Sequence, residues 1–109
     1  MAEESTHIAV LGGEAPEREE IRSYLSEHGF GSSSIPDTEA LRRMLRRSPP
    51  DIVILDTSLP GNNIFDLTAE LRHWPDIGVI VVSDEDDLIE KVAGLESGAD
   101  DFLARPFHM

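Results

Sequence analysis

The chain has no cysteine, one tryptophan, one tyrosine and few positive charges: nine Lys plus Arg stand against 22 Asp plus Glu. Without cysteine there is neither a disulfide framework nor a thiolate zinc site, so any metal must be taken by carboxylate, carbonyl or histidine oxygen and nitrogen. The formal charge of -13 sets up a field that repels phosphate backbones and anionic membranes, and direct nucleic-acid binding by this chain is not expected. No apolar run approaches the roughly 18 residues of a membrane span, and Met1-Ala2-Glu3-Glu4-Ser5-Thr6 has neither a basic n-region nor an apolar h-region. The expectation is a cytoplasmic chain with no membrane contact. Its 109 residues suffice for one packed core and are too few for two.

What is present is a regular alternation of patterns. His7-Ile8-Ala9-Val10-Leu11 is a short apolar run closed by Gly12-Gly13, as a buried strand entering a tight turn would be. Pro16 suits the first turn of a helix, and Glu17, Glu19 and Glu20 favour its positive end. Ile21, Tyr24, Leu25 and His28 share one face before Gly29 stops it. Phe30 to Ile35 carries Ser32-Ser33-Ser34 and reads as an exposed or edge strand. Asp37 or Thr38 caps a second helix with Ala40, Leu41, Met44 and Leu45 inward. Arg42, Arg43, Arg46 and Arg47 line its other side as a solvated face.

After Pro49-Pro50 the run from Asp51 to Asp56 holds four consecutive aliphatics, the signature of a central parallel strand covered on both faces. Thr57 to Asn63 forms a loop around Pro60-Gly61, and Ile64, Leu67 and Leu71 mark a third helix ending by Trp74-Pro75. Ile77 to Ser83 repeats the buried-strand pattern. Asp84 to Gly98 reads as a fourth helix, and Asp101 to Ala104 as a last short strand. Strands alternating with helices imply a parallel sheet, right-handed crossovers and helices on both faces. In that architecture ligands meet the carboxyl ends of the strands. Gly12-Gly13-Glu14, Asp56, Ser83 and Arg105 all follow strands and should converge.

Two segments carry a family resemblance. Asp51-Ile52-Val53-Ile54-Leu55-Asp56-Thr57-Ser58-Leu59-Pro60-Gly61 resembles the phosphoacceptor segment of two-component response-regulator receiver domains. Gly94 to Gly98, followed by Ala99-Asp100-Asp101-Phe102-Leu103-Ala104-Arg105-Pro106-Phe107, resembles their closing segment. The resemblance spans residues 1–109 and implies a flavodoxin-like, doubly wound, five-stranded α/β fold. It implies Asp56 as the aspartate that accepts a phosphoryl group from a histidine kinase, Ser83 as the hydroxyl beside that group, and Phe102 as the aromatic that reports the switch. Where the family holds magnesium with an acidic pair after the first strand, this chain has Gly12 and Gly13. Where it has a lysine before Pro106-Phe107, this chain has Arg105. Asn63 and Ile64 depart from the family's usual Asp and Gly in the loop after Asp56.

Phosphoryl transfer to a carboxylate depends on positioning and on cations that absorb charge, and the site is half present. The expectation is an atypical receiver, regulatory rather than enzymatic, with no resident cofactor and at most weak magnesium. Glu14 is the possible substitute acid. Its partners would be a histidine kinase or another signalling protein, and the parent protein would be a transcriptional regulator. A working phosphoacceptor is the alternative; a small nucleotide-binding domain would need a phosphate loop or a stacking site, and neither occurs, since Gly12-Gly13 lacks the G-x-G-x-x-G pattern. His7, His28, His73 and His108 are scattered without ligand spacing and read as surface residues. The resemblance also implies a fifth helix after Phe107, whereas the sequence stops at Met109. The corresponding expectation is a domain short of its last helix, with apolar surface uncovered and a tendency to dimerise or self-associate.

Overall fold

A computed structural model describes residues 6–12, 14–56, 64–83, 95–96 and 98–104. The elements run β1 (His7–Leu11), α1 (Ala15–Glu27), β2 (Gly31–Ile35), α2 (Thr38–Arg47), β3 (Ile52–Asp56), α3 (Ile64–Leu71), β4 (Gly78–Ser83) and β5 (Asp101–Ala104). The five strands form one parallel sheet in the order β2-β1-β3-β4-β5. The parallel sheet is the one expected from the alternation, and its five-stranded flavodoxin-like order is the one that the family resemblance implies. The loop expected at 57–63 and most of the helix expected at 84–98 lie outside the described residues.

Side chains leave a strand alternately to its two faces, and both faces of this sheet are apolar. Ala9, Leu11, Val53, Leu55, Val79, Val81 and Phe102 build the larger core cluster with Leu41 and Leu45 of α2 and with Leu67 and Leu71 of α3. Ile8, Val10, Ile54 and Val82 build the smaller one, with Ile21 buried and Leu25 partly buried from α1. Leu11, Leu41 and Leu55 are fully buried, and each such side chain contributes about 1.5–3 kcal/mol relative to exposure. Burial on both faces is why the central strands read as unbroken aliphatic runs.

Helix boundaries follow from local chemistry. The Glu17 carboxylate accepts the Glu14 backbone N–H at 3.0 Å, closing the first turn of α1, and Gly29 leaves that helix at φ +85°. Asp37 caps α2, its Oδ1 accepting the Ala40 N–H at 2.8 Å. His28 does not continue the inner face of α1. It is exposed at the C-cap, with its ring tilted against Tyr24 at 4.3 Å between centroids. That exposure is the one expected of His28 as a surface residue, whereas His7 differs from expectation: it is half-buried, and a 2.8 Å hydrogen bond joins its Nε2 to the Ser33 hydroxyl on β2. A histidine on a strand beside a serine-rich edge has a partner that spacing along the sequence does not show.

Candidate functional site

The chain leaves β1 toward β2 on one side and returns to β3 on the other, so the order of strands reverses between β1 and β3. That switch leaves a place for a ligand at the carboxyl ends of these strands. The register pairs Leu11 with Leu55. The next residues, Gly12 and Asp56, are therefore neighbours at the mouth of the switch.

Asp56 ends β3 and is only 4% exposed; Ser83 ends β4 and is 2% exposed. The register sets Asp56 beside Val82, one residue before Ser83, so a carboxylate and a hydroxyl end adjacent strands. Neither is without a partner. Phe102 on β5 is 4% exposed and packs in the larger core cluster, paired with Val81.

Gly12 lies against Asp56. Its φ is +96°, and a Cβ built there would come within 2.9 Å of the Asp56 carbonyl oxygen, 3.0 Å of its Cβ and 3.3 Å of its nitrogen. Backbone therefore fills the space where the first of two acidic side chains would begin. Glu14 is exposed and serves as the N-cap of α1. Gly13 and Arg105 lie outside the described residues. Among the described residues, no three His, Asp or Glu side chains gather as a metal-holding group.

Two further carboxylates do structural work that sequence reading did not assign. At the amino-terminal edge of the sheet, Asp51 Oδ2 accepts the His7 N–H and Asp100 Oδ2 accepts the Val79 N–H, each at 2.7 Å. The Asp100 N–H in turn reaches the Val79 carbonyl at 2.7 Å. An aspartate at either end of an aliphatic run is the only sequence signal, and it does not tell a clasp from an acceptor. A cleft of about 270 Å³ also lies at this edge, lined by Pro49, Pro50, Asp51, Trp74, Pro75 and Ile77 among others. It is at the opposite end of β3 from Asp56.

Comparison with known proteins agrees with this geometry. A family model, the response regulator receiver domain, matches residues 9–109. The chain is 32% identical over 103 residues to the TorCAD operon transcriptional regulatory protein TorR of Escherichia coli O157:H7, covering 94% of this chain and 45% of that protein. It is 34% identical over 104 residues to the transcriptional regulatory protein CseB of Streptomyces avermitilis, covering 95% and 44%. The crystal structure of the receiver domain of the TMAO respiratory system response regulator TorR superposes with a TM-score of 0.84 at 31% identity, over 94% of this chain and 85% of that one. The chain thus spans less than half the length of these curated relatives.

Proposed function

The chain belongs to the response regulator receiver family, and on that premise we propose that it is the regulatory domain of a transcriptional response regulator whose magnesium site is degenerate. On this reading it is not an enzyme. It works through contacts with other proteins, a histidine kinase or another signalling partner among them, in the cytoplasm and without touching DNA itself. The observation that carries the reading is Gly12 at φ +96°, with its missing Cβ directed at the main chain of Asp56.

Magnesium takes near-octahedral oxygen ligands and is usually bound through one or two carboxylates beside phosphate. Here both positions of the family's acidic pair are glycine, and at Gly12 a side chain would run into Asp56. Glu14 is exposed at the start of α1, its backbone N–H held by Glu17, one residue beyond the pair. The residues present do not fit the ion, and no phosphoryl-transfer step is derived through it. Ser83 and Phe102 keep the positions that the family's switch uses, so a partner that binds near Asp56 has a hydroxyl and a core aromatic through which to act.

A second reading has an observation of its own. Asp56 and Ser83 are both buried at the ends of adjacent strands, the pair a working phosphoacceptor retains. Intact-protein mass after incubation with a small phosphodonor, with and without magnesium and with Asp56→Asn as control, separates the two. No adduct under either condition is expected. An adduct that needs both Asp56 and magnesium replaces the degenerate reading with the phosphoacceptor one.

The same proposal includes a second copy of the chain as a partner. Leu103 on the edge strand β5 is 39% exposed, in keeping with apolar surface that self-association covers. Light scattering that returns a monomer at every concentration would remove this part.

A further inference from the structure

We infer that Gly12 is a positioning residue for Asp56: Gly12 rests against the Asp56 main chain, so any side chain at this position displaces the end of β3 and an acid there does not rebuild a metal site. The inference deepens the degenerate reading and rests on it. In that reading the carboxylates are missing; here the space for one of them is missing too.

Three observations carry it. The pairing of Leu11 with Leu55 brings the two strand ends side by side, so the residue after β1 meets the last residue of β3. At that point Gly12 has φ +96°, outside the region where L side chains are comfortable. The atoms its Cβ would strike, at 2.9, 3.0 and 3.3 Å, are the carbonyl oxygen, Cβ and nitrogen of Asp56. These are parts of a strand in the middle of the sheet, not the far end of a flexible chain. A side chain at Gly12 must therefore push the end of β3, and the Asp56 carboxylate moves with it.

Gly29 provides an internal contrast. It has nearly the same backbone demand, φ +85°, yet a Cβ there has nothing within 4 Å. A substitution at Gly29 meets only the conformational penalty. The same substitution at Gly12 meets that penalty and the contact with Asp56.

The test is a matched set in the 109-residue chain: Gly12→Ala, Gly12→Asn and Gly12→Asp against Gly29→Ala and Gly29→Asn. Each is followed by thermal melting, by the backbone amide resonance of Asp56, and by titration with magnesium chloride. Gly12→Ala is expected to melt lower than Gly29→Ala by about 5 °C or more, and to shift the Asp56 amide, which Gly29→Ala leaves in place. Gly12→Asp should be as destabilised as Gly12→Ala and gain no magnesium affinity. Asparagine tolerates positive φ best among residues with a side chain, so Gly12→Asn is the variant to read if the others do not fold. Its failure to fold beside a folded Gly29→Asn supports the inference. Gly12 variants as stable as their Gly29 counterparts, with an unmoved Asp56 amide, would overturn it, as would a Gly12→Asp chain that binds magnesium about tenfold more tightly than the wild type. Magnesium binding by the wild type counts instead against the degenerate reading, and the contrast between positions 12 and 29 still decides the role of Gly12.

Discussion

The two edges of the sheet use the same residue type for different ends. At the amino-terminal edge, Asp51 and Asp100 each accept a strand N–H at 2.7 Å, from His7 and Val79. Both aspartates are exposed, so water solvates the rest of each carboxylate while one oxygen finishes the sheet. At the carboxyl-terminal edge, Asp56 is buried, with Gly12 backbone against it and Ser83 closing the next strand. A carboxylate sunk to 4% exposure needs protein partners in place of water, whereas a clasp at the rim keeps part of its water. Such a placement is retained for chemistry or recognition more readily than for stability. The difference teaches that the position of an aspartate along a strand says less about its job than which end of the sheet it closes.

That contrast gives a direct comparison of stability. Asp100→Ala removes the acceptor from the N–H of Val79, a residue that is 3% exposed, and is expected to cost about 1 kcal/mol or somewhat more. Asp56→Asn keeps the shape and one acceptor oxygen toward the partners of this residue, and its melting temperature should change less than that of Asp100→Ala. Thermal or urea unfolding of the two variants beside the wild type is the measurement. If Asp56→Asn proves the more damaging of the two, Asp56 is a structural residue and the distinction between the edges fails.

Much of this was legible in the sequence, and the reasons differ by element. Ile52 to Asp56 and Gly78 to Ser83 were readable because strands covered on both faces leave continuous aliphatic runs. The second strand was readable as an edge because serine fills it. What was not readable is how those serines are satisfied: Arg18 Nε donates to Ser34 Oγ at 2.7 Å and Arg22 Nε to Ser32 Oγ at 3.3 Å, both from α1, with His7 joined to Ser33. These contacts run between elements, and no local pattern reports them. Asp56, Ser83 and Phe102 were placed by motif, and the fold sets Asp56 and Ser83 on adjacent strands as expected. Gly12 was recognised as a lost acid; its approach to Asp56 was not, since it depends on the register of two strands about 45 residues apart along the chain.

The smallest expected effect lies away from both edges and tests whether acid sensitivity belongs to the sheet at all. Arg42 on α2 meets Glu70 on α3 in a two-pronged pair, Nε to Oε2 at 3.0 Å and an Nη to Oε1 at 2.9 Å, with Glu39 3.9 Å from the same guanidinium. Hydrogen bonding from Arg42 holds the Glu70 carboxyl below the ordinary glutamate range; partial burial opposes this, and the charges of Arg42 and His73 add to it. Because the folded value is depressed, the unfolded chain binds the proton first as pH falls. The contribution is therefore complete above the ordinary glutamate value of about 4.3 and is lost as pH drops through the lower folded value. The pair is largely solvated, so the gain is small and fades with salt. Urea unfolding from pH 7 to pH 3 should show a shallower acid decline for Glu70→Gln than for the wild type, with the difference shrinking in high salt. Parallel curves would mean that the pair contributes nothing and that the loss of stability in acid arises from the other carboxylates, those at the sheet edges included.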